Sequence, residues 1–501
     1  MTIIKKILPL NRVEGDIEIH FELDENHRVT DARSVGTLYR GIENLMTGRA
    51  PLDSLVITPR ICGICTTAHL NAAAKALDMA FSVRVPDNAQ RLRNVTLLVE
   101  HIQNDLRHFF LLFMPDCTRT PYKDHPMHGE ALHRFRVLKG ESTIQIVQET
   151  KKIIEIIAIL GGQWPHSSFM VPGGVVSVPS SNDIFQCRHI LRNFVKWYER
   201  RVLGCTIARW QEVITRKDLE AWLGESPLHQ QSELGFFIQF ALSAGLDQLG
   251  RGCETFISCG GPELPAQTHV KGVGGGNSFL PSGLFSSDGL SPFDQQHIAE
   301  DISCAFYHGT TSHPFEGRTM PDLDDAGGRK YSWAKAPRYN GKPAETGPLA
   351  DLLVAGMPLF VELNRTIGAS VFLREFARLV RPALLLPAIE QWLREMADCS
   401  STFFQDYPVS DAAKGYGLVL ASRGILGHWV RIEDGKVANY QVITPTAWNA
   451  SPMDAKGVHG PCEQAIIGTR VHDPDDPVAV EQIVRSFDPC LVCTVHAVDL
   501  R

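Results

Sequence analysis

Two Cys-x-x-Cys pairs sit at opposite ends of this chain. Cys62 and Cys65 belong to Arg60-Ile61-Cys62-Gly63-Ile64-Cys65, with His69 close behind, and Cys490 and Cys493 belong to Asp488-Pro489-Cys490-Leu491-Val492-Cys493-Thr494-Val495-His496. More than 400 residues separate the two pairs. Each two-residue spacer lets its sulfurs turn onto a common metal or onto each other. If all four thiolates serve one place, the fold must bring the two ends together in its core. That argues against independent domains: residues 1–501 are expected to form one entwined unit, with metal-binding halves at 60–69 and 488–496.

Soft thiolates select zinc, iron–sulfur clusters, nickel or copper(I) over magnesium or calcium. The plain rival is a structural zinc site with four cysteine ligands. Such sites join pairs that lie closer in sequence and staple small domains, and a long chain with 44% hydrophobic and 21% charged residues has little need of a staple. A site buried in a large core is better explained by chemistry that excludes water. The start, Met1-Thr2-Ile3-Ile4-Lys5-Lys6 leading to Pro9, does not read as a signal peptide. Twelve cysteines in such a chain suggest reduced thiols or metal ligands, and a cytoplasmic protein, with any membrane association made through partners. Eight of them (117, 187, 205, 253, 259, 304, 399 and 462) are scattered singly and read as small buried hydrophobes. The net charge of −7 gives no reason to expect nucleic acid as a partner. No apolar run approaches the roughly 20 residues that span a bilayer.

Along the chain, alternation of Ile17, Ile19, Phe21 and Leu23, then a turn at Asp24-Glu25-Asn26-His27, predicts a hairpin over 16–37. Thr66 or Thr67 is placed to cap a helix reaching Met79. Pro86-Asp87-Asn88 opens a long helix to about Met114, with Leu92, Val95, Leu98, Val99, Ile102 and Leu106 at helical spacing. Further helices are expected at 142–160, 182–202, 205–223, 349–356, 359–378 and 383–404. Short strands and long ordered loops are expected over 250–350. Strands over 415–445 cross a turn at Glu433-Asp434-Gly435-Lys436, and Asp476-Pro477 starts a last helix at Val478.

The two cysteine motifs, taken together, resemble those of the large subunit of nickel–iron hydrogenases, and the resemblance extends over essentially the whole chain. Trp164-Pro165-His166-Ser167 through Gly174, and Tyr331-Ser332-Trp333, look most like the cytoplasmic uptake and sensory branch. The implied fold is predominantly helical α+β, with long helices at the centre and small peripheral sheets. The resemblance implies that Cys62, Cys65, Cys490 and Cys493 bind nickel, with Cys65 and Cys493 bridging to an iron that carries carbon monoxide and cyanide inserted by maturation factors. Cys490 is then the candidate first proton acceptor in heterolytic H2 cleavage. Glu14, in Arg12-Val13-Glu14-Gly15, matches the proton-relay glutamate, and Arg423 the guanidinium held over the metals. Thr446 matches a hydroxyl donor to cyanide. Ser422 stands where many relatives carry proline, which alters the hydrogen bonding available to cyanide. His69 is expected to hydrogen-bond a bridging thiolate, and His166 to face the electron-transfer partner. Glu43, His496 and the backbone carbonyl of Val442 match ligands of a structural magnesium, with Lys335 near its waters.

Two features depart from the family pattern. Gln103-Asn104-Asp105 stands where many relatives have His-Asp-His, which leaves the ion-pair partner of Arg423 open. Only Ala497-Val498-Asp499-Leu500-Arg501 follows His496, which fits a short extension, a truncated end or an unprocessed one. The chain holds no further cysteine cluster for iron–sulfur centres, so electrons must leave through a small subunit that carries them, in a heterodimer or an oligomer of heterodimers. The expected function is H2 oxidation. The alternative is a regulatory subunit that senses H2 with the same site.

Overall fold

The computed structural model describes residues 4–325, 327–398 and 401–491. Its central element is the helix Asp87–Arg107, whose Leu92, Val95, Leu98, Val99, Ile102 and Leu106 are buried as their spacing requires. It packs against the helices Glu141–Gly161 and Pro382–Asp398. Beyond Arg107 the chain stays helical but changes pitch, first to a π-helical segment, His108–Phe113, then to a 3₁₀ segment, Met114–Thr118. The long helix expected to about Met114 is therefore present, but not as one regular α-helix.

The helix Thr66–Ala80 follows directly on Cys65. It carries a face of small residues, including Ala72, Ala76 and Ala80, and lies on the strand Ala413–Ala421. Gly415 and Gly417 make this approach possible. A Cβ at these positions would stand 2.0 Å from the carbonyl oxygens of Ala76 and Ala72, respectively. That strand begins an antiparallel meander with Gly424–Glu433 and Lys436–Ile443. Its second turn has Asp434 and Gly435 both at positive φ, 51° and 70°, as a tight hairpin demands. Neither Thr66 nor Thr67 caps the helix: Cys65 takes the N-cap position with no side-chain bond. The cap comes from Glu100, whose carboxylate accepts the Thr67 and Ala68 N–H groups at 2.7 and 3.0 Å.

The N-terminal hairpin pairs Ile17–Leu23 with Val29–Gly36, and a further strand, Ile4–Pro9, adds to its edge. The middle of the chain forms short antiparallel strands, Phe256–Glu263 with Ser278–Ser286 and Ile298–Asp301 with Ala336–Tyr339. Two expected helices are broken. The stretch 205–223 divides into Ile207–Trp210 and Arg216–Glu225, the second opened by a capping box of Thr215 and Asp218. The stretch 359–378 divides at Gly368 (φ 71°) into Pro358–Ile367 and Val371–Val380, with Ser370 capping the second. Helices Pro227–Gln231 and Glu233–Ser243 were not expected. The last helix, Val478–Ser486, starts at the expected residue, but Pro477 occupies the N-cap and Asp476 pairs with Arg119 instead of capping.

The result is predominantly helical α+β with small antiparallel sheets. Most of its buried apolar residues form one contiguous cluster that reaches from the N-terminal hairpin to Leu491. No helix among the described residues is long and apolar enough to cross a membrane. Of the single cysteines, 117, 187, 253, 304 and 462 are buried, 205 and 259 are half-buried, and 399 lies outside the described residues.

Candidate metal centre

The two ends of the chain do meet. Cys62 Sγ lies 3.5 Å from Cys490 Sγ, across 428 residues of sequence. The sulfurs of Cys62, Cys65 and Cys490 all lie within 4.8 Å of one another and are buried. A disulfide needs about 2.0 Å, whereas sulfurs bound tetrahedrally at about 2.3 Å lie roughly 3.8 Å apart. The spacing is that of a ligand set. Cys493 and His496 fall outside the described residues.

Local structure explains how each sulfur is placed. Cys62 and Cys65 sit on the turn that leads into the helix Thr66–Ala80, where the Ile64 N–H donates to Cys62 Sγ at 3.3 Å. Cys490 is held from both sides. Its own N–H donates to Thr446 Oγ1 at 2.9 Å, and the Leu491 N–H donates to the Glu14 carbonyl at 2.7 Å, forming a parallel bridge between Glu14 and Cys490.

Glu14 is half-buried beside this bridge. Burial first, then the charge of Cys62, push its carboxyl above the usual range. Arg423 is buried, and its Nε lies 2.9 Å from the Asp488 carbonyl and 3.0 Å from Asp488 Oδ1. Burial would lower its pKa, but Asp488 and then Cys490, Cys65 and Cys62 drive it well above normal, so it is a fixed cation. Asp488 is therefore the ion-pair partner of Arg423, two residues before the terminal cysteine pair. The triplet Gln103-Asn104-Asp105 plays other parts: Asn104 Nδ2 donates to Asp488 Oδ2 at 2.9 Å, and Asp105 pairs with Arg381 at 2.8 Å. His108 stands between Asp488 and Glu375, at 3.0 and 2.9 Å. Burial opposes the charged form of Asp488, yet Arg423 and His108 hold its carboxyl far below the usual range.

The remaining candidates fall into two places. Thr446 lies beside Cys490, and Ser422 directly precedes Arg423. The Thr446 oxygen accepts the Cys490 N–H, which leaves its hydroxyl hydrogen to give, and Ser422 Oγ and Arg423 Nη1 are buried with no hydrogen-bond partner among the described residues. His69 is fully buried, and its Nδ1 lies 3.0 Å from His428 Nε2. Burial lowers its pKa to about 4 and keeps it neutral. His166 is half-buried at φ 63°, its Nδ1 donating to the Pro59 carbonyl at 3.0 Å. A Cβ on Gly63 would lie 3.9 Å from its ring. The second place is a buried polar cluster around Glu43, whose Oε1 accepts the Val442 N–H at 2.8 Å. Lys335 is not a surface lysine. It is buried and donates to Glu43 at 3.1 Å and Gln441 at 2.6 Å, with Glu300 3.4 Å away and Thr319 bonded to Glu43.

A sequence profile of the nickel-dependent hydrogenases matches residues 40–118 and 238–496, which contain both cysteine pairs. The chain belongs to that family. Among its relatives, the periplasmic [NiFeSe] hydrogenase large subunit of Desulfomicrobium baculatum is 31% identical over 97% of this chain and 94% of its own. The hydrogenase-2 large chain of Escherichia coli K12 is 28% identical over 98% and 96%. The structure of the Ni-Fe-Se hydrogenase from D. vulgaris Hildenborough in the reduced state superposes with a TM-score of 0.81 at 28% identity, covering 99% of this chain and 100% of that one. As a hydrogenase large subunit the protein is an oxidoreductase, and membership implies a nickel–iron centre and a small-subunit partner.

The residues present fit such a centre. Three buried sulfurs converge, Cys62 and Cys490 standing 3.5 Å apart and so too far for a disulfide, and Arg423 Nη1 and Ser422 Oγ have no hydrogen-bond partner among the described residues, a role that ligands of the metals would fill. Asp488, His108 and Glu100 were missed as supporting residues. Asp488 was visible two positions before Cys490, but nothing local marks Glu100 as a cap for a helix 33 residues away.

Proposed function

We propose that this subunit oxidises H2, releasing protons through Cys490 and Glu14 and passing electrons to iron–sulfur clusters held by the small subunit. The observation that carries this reading is the convergence of Cys62, Cys65 and Cys490 from both ends of the chain in one buried cluster. Cys493 completes the four-thiolate set, and carbon monoxide and cyanide, inserted by maturation factors, complete the iron. The bound centre supplies the Lewis acidity and the redox capacity that polarise H2 and take its electrons.

The chain's own residues supply the rest. Buried thiolates would be strongly disfavoured without positive charge close by, and Arg423, fixed by Asp488, supplies it. Its Nη1, which has no partner among the described residues, offers the site a further donor, and a preorganised dipole needs no rearrangement as charge develops. Cys490 Sγ takes the first proton. Glu14, tied to the same backbone bridge and raised in pKa, takes it next, as a relay acid working near neutral pH should. Thr446 and Ser422 offer hydroxyl donors to cyanide. His166, whose Nδ1 is committed to Pro59, would offer its other nitrogen to the small subunit in a heterodimer. Glu43, the Val442 carbonyl and His496 hold magnesium, with Lys335 in contact with the same carboxylate. The motifs at Trp164–Ser167 and Tyr331–Trp333 favour the cytoplasmic uptake and sensory branch.

The test is metal analysis and infrared spectroscopy of the purified complex with its small subunit. One nickel and one iron per large subunit, with stretching bands of metal-bound carbon monoxide and cyanide, are expected. Zinc in their place, with no such bands in active material, would overturn the reading.

A further inference from the structure

A file of buried hydrogen-bonding groups leads away from the cysteine cluster, starting at His69. His69 Nδ1 lies 3.0 Å from His428 Nε2, and His428 Nδ1 lies 2.8 Å from the Tyr440 hydroxyl. Tyr440 also hydrogen-bonds the side chain of Ser54, whose hydroxyl reaches the Pro51 carbonyl at 2.8 Å. All four side chains are buried. They come from four elements: the helix Thr66–Ala80, the strands Gly424–Glu433 and Lys436–Ile443, and the helix Ser54–Ile57.

Such a file has two self-consistent orders. In one, His69 donates from Nδ1 to His428 and leaves Nε2 bare. In the other, His69 accepts at Nδ1 and carries its proton on Nε2. The phenol decides between them. Its hydrogen has two acceptors within reach, Ser54 Oγ and His428 Nδ1. An imidazole nitrogen is a far stronger base than an alcohol oxygen, so the phenol donates to His428. His428 then holds its own proton on Nε2 and donates to His69 Nδ1. Ser54 is free to turn its hydroxyl to the phenol oxygen, because the Pro51 carbonyl also receives the Ser54 backbone N–H. We propose that Tyr440 and His428 are positioning residues that lock His69 as the Nε2–H tautomer, so that its one remaining donor serves the thiolate cluster.

The consequence is electronic. An N–H donated to a thiolate draws charge from the sulfur and from any metal it binds, and groups that orient such donors tune a site nearly as strongly as its ligands. A file that merely filled core space would have no such effect. The inference rests on the proposed nickel–iron reading of the cysteines, and the experiment separates the two.

The carbon monoxide and cyanide bands of the complete enzyme are recorded for wild type, Tyr440→Phe, His428→Leu and the double variant Tyr440→Phe/His428→Gln. Tyr440→Phe should move the carbon monoxide band to lower frequency with nickel and iron content unchanged, because more charge stays on the metals. His428→Leu cuts the file one link nearer the site and should give the same downward shift, so it carries the test if Tyr440→Phe does not accumulate. In the double variant the glutamine amide replaces the donor at His428 Nε2 and needs no phenol, so the band should return to the wild-type position. Wild-type bands with no shift in Tyr440→Phe or His428→Leu, or a shift that glutamine fails to reverse, would overturn the inference alone. A wild-type spectrum without bands would overturn the metal reading and the inference together.

Discussion

Arg423 and Glu14 show what single side chains contribute at this site. Arg423 is oriented by two contacts to Asp488, one to its carbonyl and one to its carboxylate. A lysine there keeps the charge but loses the Nε–H that makes both contacts and the separate Nη1 donor, which has no partner among the described residues. Arg423→Lys is therefore expected to lower H2-driven dye reduction by about 10²–10³, the range for losing a preorganised donor, with nickel content retained by metal analysis. Glu14 is held by its backbone against Cys490, so Glu14→Gln leaves the bridge intact and removes only the titrating group. Turnover is expected to drop about 10²–10⁴-fold, the usual contribution of a general acid–base group. The carbon monoxide and cyanide bands of the resting enzyme should persist, and bands lost with activity would assign Glu14 a structural role instead.

Among the elements, the seat of the helix Thr66–Ala80 matters most, because it carries Cys65 at its cap and His69 in its first turn. Gly417 allows contact with the Ala72 carbonyl at a distance no Cβ could tolerate. Gly417→Ala should push helix and strand apart at a cost of about 1–3 kcal/mol, read as a lowered denaturant midpoint. The cap of the same helix predicts a pH effect. Burial raises the Glu100 carboxyl to about 7, from 4.5 for the unperturbed group. The folded state therefore holds this proton more tightly, so its contribution is fully present below about pH 4.5 and is lost as pH rises through about 7. The difference is on the order of 3 kcal/mol. The melting temperature of wild type measured against Glu100→Gln should fall across that window, and parallel curves would show that Glu100 does not titrate there. These features also mark where sequence reading runs out. Cys62, Cys65 and Cys490 announce themselves by spacing, and the central helix by its apolar period. The break at Gly368 and the capping box at Thr215 were written locally but were overridden by the helical period on either side. Gly415, Gly417 and Glu100 act across the fold, on partners that no local pattern identifies. The edge strand Ile4–Pro9 alternates only weakly, and its pairing partner, not its own sequence, makes it a strand.

For the molecule as a whole, the decisive contacts are those between its two ends. Arg485, fully buried near the end of the last helix, binds the Asn11 carbonyl at 3.1 Å, Asn11 Oδ1 at 2.8 Å and Asp116 at 2.5 Å, and Asp116 also pairs with Arg12. This knot sets the segment that carries Glu14. Arg485→Ala leaves Asp116 buried with fewer cations and is expected to destabilise the protein by about 3–5 kcal/mol. In hydrogen exchange, the strand Ile17–Leu23 and the helix Val478–Ser486 should lose protection together. Independent loss would show that the two ends do not open as one unit. The separation of 428 positions from Cys62 to Cys490 has a consequence for the order of events in the cell. While the polypeptide is being made, the early pair emerges long before its counterpart exists, and two thiols alone form an incomplete, exposed binding site. Nickel can be enclosed only after the second pair has been synthesised, so metal insertion has to follow the making of everything from the first pair to Cys490.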